Sequence, residues 1–368
     1  MRILIAIDKF KESLTSIEAA TIIQDAIKVA NPSYTIKMLP IADGGDGFAK
    51  VLKYYLKTKT VNVKSVNPLF QKMDGYYEWN DAKKIAIIEL AVCAGIALLK
   101  NKDRNPSNTS TFGTGLLIKH AIKKGAKKII LGLGGSATND AGMGIASALG
   151  FVFLDKQGNE LMPIGASLNH IHRIQKPASF PTIQFDIAID VNNPLYGKYG
   201  AASVYGPQKG ASIKQVEILN NGLKNIASVI KKQTGVTISK QKGLGAAGGV
   251  GAMLVPFFKT RIMSGIDLVI EMSEFKKQIK SCDLLITGEG KIDEQSFQGK
   301  VVGTFIKQAK PYQTKILLIA GKIEKLSHQE YKHLQFIELQ DKNKSLAYSI
   351  KNAKKLLFKK TNAFFNAY

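Results

Sequence analysis

The sequence contains little cysteine. Cys93 and Cys282 are the two thiols among 368 residues, and each lies in an apolar run without a second cysteine or a histidine at metal-ligand spacing. Two isolated cysteines exclude a scaffold held together by several disulfides. The lack of nearby ligands argues against a zinc site. We expect two buried thiols in a protein of a reducing compartment.

Long hydrophobic runs are also missing. The longest apolar stretch, residues 85–99, is interrupted by Glu89 and is shorter than the roughly 18 residues that a membrane-spanning helix needs. Residues 3–7 are apolar, but Asp8 and Lys9 follow them directly, so the apolar core of a secretory signal is absent. The sequence therefore predicts a cytoplasmic protein without a transmembrane helix.

Arginine is scarce for so basic a chain. The formal net charge is +24, yet the arginines are only Arg2, Arg104, Arg173 and Arg261. Specific nucleic-acid recognition favours the planar guanidinium and aromatic platforms that stack on bases. A lysine-rich, solvated surface is therefore expected, without a nucleic-acid or membrane partner but with a general attraction for anionic small molecules.

Apolar, β-branched runs alternate with amphipathic stretches over much of the chain, which is typical of βα units around a parallel sheet. Thr15 and Glu18 stand at capping-box spacing and predict the start of the first helix. The alternating segments are residues 3–7, 16–29, 35–39, 128–133, 141–149, 283–287, 301–309, 315–320, 336–339 and 345–365.

A different pattern occupies the region between residues 60 and 90. Short runs at residues 61–66, 75–79 and 85–89 are separated by turn residues and predict antiparallel neighbours. We therefore expect a two-domain α/β protein. Residues 1–60 and 260–368 would form one discontinuous domain around a parallel sheet, and residues 61–259 would form an inserted mixed-sheet domain.

The strongest of three glycine-rich segments is residues 132–140, between a predicted strand and a helix expected from about Ala141. A glycine turn there lets backbone N–H groups approach a phosphate, and a helix N-terminus adds a favourable dipole. Ser136, Thr138 and Asn139 would supply further donors. The segment predicts a phosphate site, with a tight capped turn as the alternative.

The other two glycine-rich segments leave alternatives open. Residues 243–248 match G-x-G-x-x-G, but a charged stretch precedes them instead of a strand, so a tightly packed turn and a second nucleotide loop are both possible. Residues 287–296 follow a predicted strand, where Glu289 and Asp293 could contact a metal or a phosphate or simply form a solvated loop. Walker and protein-kinase motifs are missing.

Carboxylates follow several predicted strands. Asp8, Asp43, Asp46 and Asp190 stand at these positions, beside glycines or lysines. Each alone is an ordinary turn former. Together, at the carboxyl ends of strands, they indicate magnesium ligation and a general base, which a phosphoryl transferase acting on an alcohol requires.

Eight motifs in order make the chain similar to a known family. They are residues 8–14 (DKFKESL), 42–47 (ADGGDG), 104–106 (RNP) leading to 109–115 (TSTFGTG), 134–142 (GGSATNDAG), 190–194 (DVNNP), 205–210 (YGPQKG), 245–249 (GAAGG) and 287–293 (TGEGKID). The chain resembles the bacterial glycerate kinases of the first type over nearly its whole length. It departs from the family pattern at Ile7, Lys9, Asp46 and Phe48.

The resemblance implies ATP-dependent, Mg²⁺-assisted phosphorylation of D-glycerate to 2-phosphoglycerate. It also implies a flavodoxin-like domain and a mixed-sheet domain with the active site in their cleft. The expected catalytic residues are Asp190, Lys11 and Asp8. Arg104, Asp43 and Lys209 are expected to bind substrate, with Arg104 as the natural partner of the glycerate carboxylate. The nucleotide is expected on Gly134, Gly135, Ser136, Ala137, Thr138 and Asn139, and the metal on Asp43, Glu289 and Asp293.

Two other functions remain as alternatives at this stage. The glycine-rich segments 243–248 and 132–137 would also suit a nucleotide-dependent oxidoreductase of a small hydroxy acid. A non-catalytic nucleotide-binding regulator with the same fold is the second alternative. The sequence leaves the oligomeric state open.

Overall fold

The structure is a computed structural model that describes residues 1–42, 48–179, 182–297, 301–324, 334–341 and 343–368. Its strands are β1 (Arg2–Ile7), β2 (Thr35–Met38), β3 (Lys59–Val66), β4 (Lys72–Asn80), β5 (Ile85–Glu89), β6 (Lys128–Gly132), β7 (Val152–Leu154), β8 (Arg173–Gln175), β9 (Gln184–Ala188), β10 (Lys259–Met263), β11 (Leu284–Ile292), β12 (Lys315–Ile323) and β13 (Gln335–Glu338).

The α-helices of the described residues are short, apart from three that reach fifteen residues or more. They are α1 (Ser16–Ala30), α2 (Phe48–Leu56), α3 (Ala91–Ala94), α4 (Phe112–Lys123), α5 (Met143–Ala148), α6 (Ala201–Tyr205), α7 (Ile213–Thr234), α8 (Gly251–Leu254), α9 (Gly265–Met272), α10 (Phe275–Ile279), α11 (Val301–Ala309), α12 (Leu346–Lys351) and α13 (Ala353–Ala367). Within the described ranges, none has the length and apolar character needed to cross a bilayer.

Unit 1, formed by Met1–Asp43 and Ile266–Tyr368, contains a five-stranded parallel sheet. The strand order is β13-β12-β11-β1-β2, and every neighbouring pair is parallel. Numbered within the unit, this order is 2-1-3-4-5, that of a flavodoxin-like sheet. Helices α1 and α13 pack together on the apolar side chains of the central strands, and the buried strands explain the nearly continuous apolar runs in the sequence.

The first helix begins as the sequence predicts. The Thr15 side chain accepts a hydrogen bond from the Glu18 N–H, and the Glu18 carboxylate accepts one from the Thr15 N–H, which completes a capping box. The apolar positions on one face of the helix, Ala20, Ile23 and Ile27, are fully buried against the sheet. The local sequence is therefore sufficient to place this helix.

Unit 2, formed by Gly44–Gly265, contains a six-stranded mixed sheet in the order β10-β9-β6-β5-β4-β3. Strands β5, β6, β9 and β10 are parallel, whereas β3, β4 and β5 pair antiparallel, which confirms the predicted change of pattern. Strands β7 and β8 form a separate antiparallel pair. Helix α4 packs on the sheet through buried Leu117 and Ile118.

The α/β class with one parallel and one mixed sheet is confirmed. Compactness alone does not show that a unit folds independently. The predicted domain boundaries at residues 60 and 260, and the predicted common cleft, therefore stay predictions.

Strand β11 continues beyond residue 287, where the sequence predicts a loop. Residues 288, 289, 291 and 292 remain in parallel register with β12, and Ile292 is fully buried. Glu289 and Lys291 consequently lie in a strand. The prediction of a loop there was wrong because pairing with β12, which is distant in sequence, outweighs the local turn propensity of the glycines.

A buried carboxylate joins three parallel strands of unit 2. Asp186 on β9 is completely buried and accepts hydrogen bonds from Lys128 on β6 (2.9 Å) and from Arg261 on β10 (2.7 and 2.8 Å). The Gln184 side chain donates another at 3.0 Å. Burial alone would raise the pKa of Asp186, but these donors lower it to about 2.

We expect Asp186→Asn to lower the free energy of unfolding at pH 7 by about 3 kcal/mol, because it removes the charge that two cations share. A carboxyl group with a lowered pKa in the folded state contributes stability above its unfolded pKa of about 4 and loses that contribution as the pH falls towards 2. The difference in the free energy of unfolding between the two proteins should therefore shrink over this pH range in urea unfolding.

The exposed Lys64–Asp74 pair supplies the control. Asp74→Asn should change the free energy of unfolding by less than about 0.5 kcal/mol. An equal effect of both substitutions would contradict the account.

Candidate active site

A cavity of about 470 Å³ lies in unit 2 at the carboxyl ends of β6 and β9. Ligands of open α/β sheets collect at this edge. The cavity brings together part of the predicted phosphate segment, the predicted base and a predicted substrate-binding lysine. Its lining residues are Ile96, Leu133, Gly134, Gly135, Ser136, Ala188, Ile189, Asp190, Val191, Tyr205, Gln208, Lys209, Ala246 and Ala247.

The glycine loop, residues 134–139, is held by two neighbouring segments. The Ile96 N–H donates to the carbonyl oxygen of Gly135 at 2.9 Å, and the Ala137 N–H donates to that of Ala94 at 2.8 Å. The Thr109 hydroxyl donates to the Ala137 carbonyl oxygen at 3.0 Å. These contacts fix the backbone of the loop before any ligand binds, which lowers the entropy that binding must remove.

Only the first half of the glycine loop lines the cavity. Gly134, Gly135 and Ser136 do so, and Gly135 has a φ of +69°, which glycine adopts without strain. Ala137, Thr138 and Asn139 are buried behind it, within 2% exposure. The predicted six-residue nucleotide segment is therefore divided into a cavity face and an interior part.

Lys209 is buried at the cavity wall, with 4% of its surface exposed. Its Nζ donates to Ser136 Oγ and to the Thr138 carbonyl oxygen, both at 2.7 Å. Burial lowers the pKa of Lys209 to about 7, and the negative charge of Asp140 partly opposes that shift. Lys209 therefore holds the glycine loop in place through two hydrogen bonds. The charge of its buried amino group is sensitive to its surroundings.

Arg104 lies against the segment that carries Lys209. A Cβ atom on Gly210 would come within 2.2 Å of the Arg104 carbonyl oxygen, and Gly210 has a φ of +92°. The Arg104 Nε is buried and has no hydrogen-bond partner among the described residues. Arg104 does not itself line the cavity of unit 2.

Asp190 follows β9 at the cavity wall and is exposed. Its Oδ1 accepts a hydrogen bond from the Gly265 N–H at 3.3 Å. Nearby, the Tyr205 hydroxyl donates to Asn193 Oδ1 at 2.7 Å, and the Gly245 N–H donates to the Asn193 carbonyl oxygen at 2.9 Å. Three of the sequence motifs therefore pack on one another around the aspartate.

Residues 243–249 form part of the cavity wall and are not a dinucleotide-binding fingerprint. No strand precedes it in this described part of the chain, and Ala246 and Ala247 face the cavity. A Cβ atom on Gly248 would lie 2.1 Å from the Thr138 carbonyl oxygen. The glycine permits this close approach, and Ala247 is held at a φ of +50°, a conformation that is unfavourable outside a constrained site.

The helix predicted behind the glycine loop is short and begins with an internal cap. Helix α5 has six residues and begins at Met143. The N–H groups of Gly142 and Gly144 both donate to the Asp140 carboxylate at 3.1 Å. The Asp140 side chain therefore already accepts hydrogen bonds from this end of the helix, and the predicted contribution of the helix dipole to phosphate binding stays a prediction.

A second cavity, of about 450 Å³, lies in unit 1 at the carboxyl ends of β1 and β11. It brings together four predicted site residues, Asp8, Lys11, Glu289 and Asp293. The backbone positions the first of them: the Asp8 N–H donates to the Gly288 carbonyl oxygen at 2.9 Å. Lys9, Lys291 and Lys322 also line this cavity, so its wall contains both cations and carboxylates.

The described residues do not form a complete set of ligands for the predicted metal ion. Asp293 Oδ1 accepts hydrogen bonds from the N–H groups of Gln295 and Ser296 at 3.0 and 3.2 Å, which caps the following turn. No group of three His, Cys, Asp or Glu side chains in the described parts of the chain is placed to hold a metal ion. Asp43 and Asp46 lie outside the described residues. The metal site on Asp43, Glu289 and Asp293 therefore stays a prediction.

Comparison with known proteins gives a consistent result. The family model described as the glycerate kinase family matches residues 3–368. A glycerate kinase from Bacillus subtilis is 37% identical over 336 residues, covering 90% of this chain and 88% of its own length. The glycerate 2-kinase of Escherichia coli is 38% identical over 326 residues, covering 88% and 86%.

A solved structure agrees with these sequence matches. The crystal structure of a candidate glycerate kinase 2 from Salmonella typhimurium LT2 superposes with a TM-score of 0.88 at 34% identity, covering 99% of this chain and 97% of that one. Both the fold and the motif resemblance are thereby confirmed. The chain belongs to the glycerate kinase family, a family of phosphotransferase enzymes.

Proposed function

We propose that the chain is an ATP-dependent kinase that phosphorylates D-glycerate to 2-phosphoglycerate. The observation that carries this proposal is the cavity of unit 2, where the glycine loop, Asp190 and the buried Lys209 meet. The name of the Escherichia coli relative, a glycerate 2-kinase, supports the position of the phosphate. Family membership favours this reaction over the oxidoreductase alternative.

The nucleotide phosphates are proposed to contact the cavity face of the glycine loop. Phosphoryl transfer leaves little covalent chemistry to the protein, so catalysis rests on positioning and on neutralising charge. Backbone N–H groups around Gly135 and the Lys209 ammonium offer positive charge at one place. The same cavity has an aliphatic wall that includes Leu133 and Ile189, and electrostatic interactions are stronger beside apolar groups than in bulk water.

Asp190 is proposed as the general base that accepts the proton of the attacking hydroxyl. Its carboxylate lies at the cavity wall, and the hydrogen bond from Gly265 fixes the direction of one oxygen. A base must be within hydrogen-bond reach of the proton that it removes, and this rim position allows a hydroxyl to approach.

The substrate carboxylate is proposed to bind Arg104. The unpartnered, buried Nε of this arginine has a hydrogen available for an anion, and a guanidinium matches a carboxylate in geometry. Its backbone lies beside Gly210, directly after Lys209. In unit 1, Asp8 and Lys11 are proposed to contribute to catalysis on the strength of the family motif and their common cavity.

Magnesium is proposed as the metal, and Asp43, Glu289 and Asp293 as its ligands. Carboxylate oxygens are the ligands that Mg²⁺ prefers, and the ion would neutralise charge on the phosphates. The described residues do not form a complete set of metal ligands. Phosphate binding and proton transfer are therefore assigned to backbone and side-chain groups of the chain itself.

The reaction itself is tested by mixing the chain with ATP, magnesium and D-glycerate and resolving the products by ³¹P NMR. We expect ADP and 2-phosphoglycerate. Accumulation of 3-phosphoglycerate would contradict the assigned hydroxyl. ATP binding without ADP release would support a non-catalytic regulator instead.

We expect Asp190→Asn to keep ATP affinity and to lower kcat by about 100-fold or more, because the amide cannot accept the proton. The control is Asp74→Asn, which makes the same change at an exposed position on β4. Steady-state kinetics on both variants measure the effect. Near wild-type turnover in Asp190→Asn would remove this residue from the mechanism.

A second pair of variants tests the glycine loop. Gly135→Ala places a methyl group where phosphate should approach, so we expect ATP to bind at least about tenfold more weakly. Gly158 also has a positive φ, of +89°, and open space around it. Gly158→Ala therefore matches the backbone strain and should leave ATP affinity unchanged in calorimetric titration, whereas equal affinities in the two variants would place the phosphates elsewhere.

A further inference from the structure

Tyr205 has no role in the reaction proposed above. It is the last residue of α6, it lines the cavity of unit 2, and it is half-buried. Its hydroxyl oxygen lies 2.7 Å from Oδ1 of Asn193. Asn193 belongs to the turn that begins at Asp190, the proposed base, so the tyrosine hydroxyl is bonded to the segment that carries the reacting end of the site.

A second hydrogen bond fixes the direction of the first. Nδ2 of Asn193 lies 2.9 Å from the carbonyl oxygen of Tyr199. A backbone carbonyl oxygen can only accept, so the Asn193 amide must turn its NH₂ group to Tyr199 and its oxygen to Tyr205. The reversed amide would place two oxygens at hydrogen-bond distance from each other. The Asn193 oxygen therefore accepts, and the Tyr205 hydroxyl must donate.

The backbone on the other side keeps Asn193 in place. The Gly245 N–H donates to the Asn193 carbonyl oxygen at 2.9 Å. A Cβ atom on Gly245 would lie only 2.5 Å from the carbonyl oxygen of Pro194 and 3.1 Å from Cβ of Asn193. The turn thus packs directly on residues 243–249, and a shift of Asn193 would require both segments to move.

The one proton of the Tyr205 hydroxyl is used by this hydrogen bond. Burial raises the pKa of Tyr205, so the hydroxyl stays protonated near neutral pH. A phenol has a single O–H, whereas its oxygen can also accept a hydrogen bond. Tyr205 can therefore offer the cavity an acceptor and no donor. A phosphate or carboxylate oxygen needs a donor, but the hydroxyl group of a ligand suits an acceptor.

Glycerate has two neighbouring hydroxyl groups, and only one of them attacks the phosphate. We propose that Tyr205 accepts a hydrogen bond from the hydroxyl that does not react, the 3-hydroxyl, and thereby selects hydroxy acids with a second hydroxyl beside the first. The inference rests on the proposed function, because D-glycerate must bind in this cavity. Asp190 and Tyr205 then present one acceptor to each hydroxyl of the substrate.

The ribose of the nucleotide carries hydroxyl groups of the same chemistry. Tyr205 is bonded to the turn that begins at the proposed base, which favours the acid over the ribose as its ligand. The experiment therefore has one arm for each source of the hydroxyl.

The experiment compares the dissociation constants of D-glycerate and D-lactate in wild type and in Tyr205→Phe, with Mg²⁺ and adenylyl imidodiphosphate present. D-Lactate lacks only the 3-hydroxyl, and competition against D-glycerate measures its binding even when it is weak. We expect Tyr205→Phe to weaken D-glycerate about tenfold, because one hydrogen bond is lost, and to weaken D-lactate by less than about twofold.

Tyr199→Phe is the matched control. Tyr199 is 64% exposed, and its hydroxyl has no hydrogen bond to the described parts of the chain. Its backbone carbonyl, which the substitution retains, keeps the bond to Asn193. Both dissociation constants should stay within about twofold of wild type.

Two results of the Tyr205→Phe experiment would overturn the proposal. Equal weakening of D-glycerate and D-lactate would show that the hydroxyl only holds the turn in place. Unchanged D-glycerate affinity, combined with weaker binding of ATP but not of 2′,3′-dideoxy-ATP, would place the ribose against Tyr205.

A second variant tests the direction of the hydrogen bonds. Asn193→Leu has a similar volume but no amide, so the Tyr205 proton becomes available to an anionic oxygen. The probe is hydroxymalonate, in which a carboxylate replaces the CH₂OH group of glycerate. We expect the affinity for hydroxymalonate relative to D-glycerate to rise about tenfold over wild type. An unchanged ratio would contradict the assigned polarity of Tyr205.

These measurements also separate the inference from the proposed function. A wild-type chain that binds no D-glycerate would overturn both. Binding and phosphorylation of D-glycerate, with both acids equally affected by Tyr205→Phe, would leave the proposed function standing and overturn only the role of Tyr205.

Discussion

A buried ammonium group organises the cavity of unit 2. Lys209 leaves water and exchanges hydration for two short hydrogen bonds to the glycine loop. An amine in this position tolerates burial only where acceptors and a counter-charge surround it. The shape of the glycine loop and the charge that the cavity presents to an anion therefore both depend on this one buried side chain.

The sheets explain why each unit has a cavity at the same kind of place. In a parallel sheet, neighbouring strands end at one edge, and the loops that follow them diverge and leave a crevice. Asp8 follows β1 beside β11, and Asp190 follows β9 beside β6. Charged and glycine-rich segments of distant parts of the sequence are collected at these edges, while the strands themselves supply the apolar core.

Much of this arrangement could be predicted from local sequence. The capping box of Thr15 and Glu18, the apolar runs of the buried strands and the antiparallel strands β3 to β5 are all local signals, and the structure confirms them. The ordered motifs identified the family. The cavity also brings Gly135, Asp190 and Lys209 together as the motifs suggest, although their roles stay proposals.

The remaining features depend on contacts between residues that are distant in sequence. Thr111 and Asp140 are 29 positions apart, so no local pattern shows that a carboxylate caps the helix N-terminus that a phosphate was expected to use. The extension of β11 depends on its register with β12. The burial of Lys209 is likewise invisible in a lysine-rich sequence, because a buried and a solvated lysine have the same local composition.

The most direct test of the account is a crystal structure of the chain with a non-hydrolysable ATP analogue. The account predicts phosphate oxygens within hydrogen-bond distance of the backbone N–H groups around Gly135 and of Lys209 Nζ. Phosphates bound away from Lys209, with the glycine loop contacting no ligand, would contradict it.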